Sequence, residues 1–64
     1  MTAFEIGRVL WEARKREAWG PYAETIMARA PWPRHIADPD MSADHMLAIA
    51  EARALLKVCS VTAQ

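Results

Sequence analysis

Sixty-four residues, with eight basic and eight acidic side chains, make one domain at most, of zero formal net charge. That balance argues against a dedicated nucleic-acid binder, which needs surplus Lys and Arg, and against a DNA mimic, which needs surplus Asp and Glu. A single cysteine, Cys59, excludes an internal disulfide, and no apolar run reaches the roughly 18 residues of a membrane span.

A chain this short buries only about 60% of its unfolded surface. Such chains are usually held by disulfides, a metal or a partner. The hydrophobic fraction, 53%, is high for the size, so a partner chain is the expected source of extra stability. Glu5 and Arg8 interrupt any signal-peptide core, and Cys59 reads as a small apolar filler in a reducing compartment. A cytoplasmic protein is expected. Residues 1–35 hold six basic and four acidic side chains, and residues 36–64 hold two and four. The two halves therefore attract, within one chain or between two.

Thr2-Ala3-Phe4-Glu5 is a capping box that starts a helix over 3–18, with Met1 and Ile6 at the staple positions. Ile6, Val9, Leu10 and Ala13 form its apolar stripe, and Phe4, Gly7, Trp11, Arg14 and Ala18 a second line. Gly7 in a helix interior admits a close backbone neighbour. Glu12 is placed to pair with Lys15 and Arg16. Gly20 stops the helix and Pro21 opens a second one, 21–30, with a stripe of Tyr22, Ala23, Ile26, Met27 and Ala30.

The connector 31–41 holds Pro31, Pro33 and Pro39 around Trp32. Proline fixes φ and bars the preceding residue from helical geometry, so this segment is a stiff joint. A third helix, 42–58, starts at Ser42 as N-cap, with Asp44 in its first turn and Met41 and Met46 at the staple positions. Ala48, Ile49, Ala52, Leu55, Leu56 and Cys59 cover one side of it. Leu47, Ala50, Ala54 and Val58 form another line, with Asp44 and Glu51 on one edge and Arg53 and Lys57 on the other. A helix apolar on two sides is sandwiched between elements, and two short helices cover only part of this one.

No residue set names a reaction. Cys59 with a histidine is the only nucleophile–base candidate, and no third group orients it. His35, Asp38, Asp40, Asp44 and His45 are chemically fit for zinc but lack ligand spacing. They read instead as turn residues, first-turn acids and surface histidines. Arg14-Lys15-Arg16 between Trp11 and Trp19 is a basic patch with aromatics. The following helix, with Arg29 as its one basic residue, makes a poor recognition helix.

The expectation is an all-α three-helix domain with no cofactor, no metal, no membrane span and no enzymatic activity. Trp19 and Trp32 are expected in the core. Phe4, Gly7, Trp11, Arg14, Leu47, Ala50, Ala54 and Val58 are expected to meet a partner, either a second copy or a larger protein. The function expected is that of a small adaptor, assembly factor or inhibitor. Such economy is common in phage and mobile-element proteins, an analogy of size alone. The alternative is a dimeric DNA-binding regulator using Arg14, Lys15 and Arg16.

Overall fold

Helix α1 (Ala3–Trp19) begins on the capping box. The Thr2 hydroxyl accepts the Glu5 backbone N–H at 3.2 Å, and the Glu5 carboxylate accepts the Thr2 N–H at 3.1 Å. It ends at Gly20, whose φ of 55° belongs to the left-handed side that glycine alone adopts without strain, and whose N–H returns to the Arg16 carbonyl. The computed structural model describes the backbone of residues 2–63 and the side chains of residues 2–58. Met1 and the staple expected of it lie outside those residues.

After Gly20 the chain does not break. One 3-10 turn, Gly20–Tyr22, carries Pro21 at its start and runs directly into α2 (Ala23–Arg29). The connector follows, and α3 (Ala43–Ala63) closes the fold. No strand occurs among the described residues, and the fold is all-helical. The expected three-helix domain, with a second helix over 21–30, is not confirmed in that form. There are two long helices, with a seven-residue α2 hung on the end of the first. A segment that short has no stability of its own. Its buried residues, Ala23 and Met27, hold it to the core. α3 also continues past the expected end at 58, because no Gly or Pro follows to stop it.

The buried face of α1 is the line through Gly7 and Trp11, not the aliphatic stripe. Ile6 and Leu10 are half-buried, and Val9 and Ala13 are exposed. Area explains the choice. A tryptophan ring brings 150–250 Å² to a core, about twice what a valine can, and Gly7 lets a second helix close on that ring. A Cβ built on Gly7 would lie 3.1 Å from the Ile49 Cα and 3.3 Å from the Ala48 carbonyl carbon. Ala48, Ile49 and Ala52 supply the small, buried side of α3. Leu56 is half-buried there, and Leu55 turns outward. The Cys59 side chain lies outside the described residues.

The joint is locked by His45, which is 2% exposed and not the surface residue its type suggested. Ser42 caps α3: its hydroxyl accepts the His45 N–H at 3.3 Å. His45 answers as Glu5 does in α1, its Nδ1 accepting the Ser42 backbone N–H at 3.2 Å. With Nδ1 an acceptor, the ring proton sits on Nε2, which donates to the Ala30 carbonyl at 3.3 Å. One ring thus caps α3 and ties down the end of α2. His45→Ala is expected to lower stability by about 1–3 kcal/mol, since it removes two hydrogen bonds, to the Ala30 carbonyl and from the Ser42 cap N–H. Urea unfolding checks this, and an unchanged midpoint would show that the two bonds do not matter.

Candidate interaction surface

Four aromatic rings fix which faces of the helices point outward. Trp11 lies 5.5 Å from Trp32 and 5.0 Å from His45, and Trp32 lies 5.3 Å from both His45 and Phe4, centroid to centroid. All four contacts are tilted or edge-on, the arrangements ring quadrupoles favour. Trp32 is where the connector delivers its ring to the core, as expected. Trp11 is 4% exposed and its indole N–H donates to Asp44 Oδ2 at 2.8 Å. It is therefore a core residue and not the partner-facing ring expected. Gly7 is likewise spent on the chain's own α3, and Phe4 is half-buried on Trp32.

The basic triplet is consumed inside the chain. Arg14 pairs with Glu51 and Lys15 with Asp44 at 2.8 Å, both on α3, while Arg16 reaches Glu24 on α2 at 3.7 Å. Glu12 pairs with Arg8 at 3.7 Å and not with Lys15 or Arg16. The opposite charges of the two halves are thus used to dock α1 on α3. The Lys15 ammonium, more than the Trp11 indole, holds the Asp44 carboxyl below its ordinary value of 3.8.

A group lowered in the folded state stabilises the fold above its unfolded value. That contribution disappears as pH falls through the lowered value. The melting temperature is therefore expected to fall on acidification below about pH 4. Asp44→Asn should make that fall shallower. Because Asp44 is half-exposed, the effect should shrink in high salt. An identical acid profile for wild type and Asp44→Asn would contradict the assignment.

Opposite the buried side of α3, a line of apolar side chains stands in solvent. Leu47 is 61% and Val58 65% exposed. Ala50 and Ala54 between them are exposed as well. These four are the second line expected of this helix, and all four are exposed among the described residues. Met46 and Leu55 widen the face. A shallow groove of about 200 Å³ lies beside it, lined by Ile36, Met41, Met46, Ile49 and Arg53. The two methionines at the staple positions therefore border one groove. Arg53 and Lys57 make no ion pair among the described residues.

A second exposed region was not foreseen. Trp19 is 49% and Tyr22 69% exposed, at the corner where α1 turns into α2. Lys15 already reaches the first turn of α3, so Trp19, one turn further on, has run past the end of the helix that buries Trp11. The sequence signal was there in Gly20-Pro21, which fixes a corner without supplying anything to cover it.

Three side chains of the acid and histidine cluster around the connector, Asp38, Asp44 and His45, are engaged in structure. Asp38 braces the connector, its Oδ1 accepting the Asp40 N–H at 2.9 Å and its Oδ2 the Arg34 N–H at 3.3 Å. Those bonds, the Asp40 one first, hold the Asp38 carboxyl below its ordinary value. His45 is committed at both nitrogens, and no set of three metal-ligating side chains converges among the described residues. The connector also walls a cleft of about 480 Å³ that includes Arg29, Trp32, Arg34 and Asp40. The Trp32 indole N–H is buried and has no acceptor among the described residues. No helix among the described residues is long and apolar enough to cross a membrane. No protein-family model, curated protein or solved structure matches this chain.

Proposed function

We propose that this chain is a non-catalytic protein–protein interaction module, an adaptor, assembly factor or inhibitor that docks through the outer face of α3. The exposed line Leu47–Ala50–Ala54–Val58 carries the reading. The line is three turns of helix long and lies opposite the packed side, the placement of an apolar patch suited to a partner. Trp19 and Tyr22 are of the residue types that dominate binding energy and form a second contact point. The DNA-binding alternative would have to spend Arg14, Lys15 and Arg16, whose charges are already taken by Glu51, Asp44 and Glu24.

The test is Leu47→Glu. An exposed site tolerates the charge, so the helical signal is expected to stay within a few per cent of wild type and the folded stability within about 0.5 kcal/mol. Stoichiometric association, with itself or with a larger protein co-purified from its own cells, is expected to be lost. A folded variant that keeps every association of the wild type would refute the reading.

A further inference from the structure

We infer that the outer face of α3 takes an acidic amphipathic helix of another protein, its carboxylates against Arg53 and Lys57 and an apolar side chain in the groove beside them. The inference rests on the docking role just proposed and names the chemistry of the partner. Charge complementarity carries it.

Among the described side chains, α3 holds two acids and two bases: Asp44, Glu51, Arg53 and Lys57. Docking on α1 takes both acids, Asp44 by Lys15 and Glu51 by Arg14. The two bases are left over. Arg53 and Lys57 are exposed and make no ion pair among the described residues. A chain of zero formal net charge thereby acquires a helix edge of one sign.

The two cations stand four residues apart, one helical turn, so they share that edge. Leu47, Ala50 and Ala54, all exposed, run beside them. The groove of about 200 Å³ lies at the same edge, since Met46 and Arg53 line it together with Ile36, Met41 and Ile49. Methionine reshapes itself around an incoming group, which suits a groove that receives a side chain. Apolar ground bordered by two cations is the complement of a helix with an apolar stripe and carboxylates four residues apart on one flank. A second copy does not meet that need. It brings the same two cations, and its own α1 already holds its Asp44 and Glu51. An anionic lipid surface is held by clusters of about four to eight cations, and two are few for it.

The experiment is fluorescence anisotropy with the full chain and three labelled peptides, helical by design and sharing one leucine stripe. Two flank positions, four residues apart, are both Glu, both Gln or both Lys. Wild type is expected to bind the Glu peptide about five- to tenfold tighter than the Gln peptide at low salt, with the margin narrowing as salt rises. Arg53→Glu combined with Lys57→Glu is expected to reverse the order and favour the Lys peptide. Its helical signal should not change, because neither side chain is ion-paired among the described residues. Leu47→Glu is expected to weaken the Glu peptide while staying folded. Equal affinity for all three peptides, lost in Leu47→Glu, overturns the acidic partner and leaves the docking face standing. Failure to bind the Glu peptide overturns the inference outright. So does capture by phosphatidylserine vesicles without a preference for that peptide, which points to a membrane. A mass of twice the chain in light scattering that survives the charge reversal and blocks the Glu peptide overturns it in favour of a second copy.

Discussion

Trp11→Ala is expected to unfold the chain. Removing a buried tryptophan costs about 3–5 kcal/mol. At about 0.05–0.15 kcal/mol per residue, a domain of this length has only a few kcal/mol in total. Trp11 is also the ring that His45 and Trp32 both pack on, and its indole N–H is bonded to Asp44. Its loss opens a cavity and removes the contact that holds the connector to both helices. The helical signal by circular dichroism should drop to that of a largely unfolded chain. Trp11→Phe keeps a ring and gives up the Asp44 bond, so it should fold with reduced stability. A Trp11→Ala variant that melts like wild type would place the core elsewhere.

The second large effect is at Gly7. A Cβ there meets backbone, with the Ile49 nitrogen at 3.2 Å and its Cα at 3.1 Å, and a backbone cannot rotate away as a flexible side chain can. Gly7→Ala gains about 1 kcal/mol of helix propensity. Against this, α3 must shift by a few tenths of an ångström. The net change is expected to be near zero. Gly7→Leu places three more carbons where α3 stands, and overpacking of this kind costs about 1–3 kcal/mol or more. A steep loss from Ala to Leu in a denaturant titration is the expected result. Equal stability of the two variants would show that α3 does not lie against Gly7.

Much of the fold was legible where local chemistry decides it. The Thr2–Glu5 box, the Gly20 stop, the Pro21 restart and the Ser42 cap all stand where their residue types require. The close approach at Gly7 and the two-sided character of α3 were legible too. What misled was ranking apolar faces by periodicity alone. The aliphatic stripe of α1 is the more regular, but the line with one tryptophan and one glycine brings more area and a closer fit, and it wins the core. For the same reason Trp11 was expected at a partner surface and Trp19 in the core, the reverse of where they lie.

The ion pairs failed for a different reason. Pairing at i and i+4 is a rule for an isolated helix. Lys15 and Arg14 find carboxylates on α3 because the helices have already packed. His45 had a visible signal: it stands three residues after Ser42, the same spacing that joins Thr2 to Glu5. A histidine can accept the cap N–H as a glutamate does and still donate from its other nitrogen, which is what lets it bridge the connector. The exposed line of α3 was legible throughout, because its residues could be counted against the two other helices available to cover them.

Carbene footprinting of Leu47 and Val58 tests most directly whether that line is a binding face. The diluted, purified chain would be compared with the same chain in the cells that make it. Docking predicts strong labelling at both residues in dilute solution and protection of both in the cell, with Trp11 protected in each case. Equal labelling of Leu47 and Val58 in the two settings would mean that nothing covers the outer face of α3, and would contradict the account.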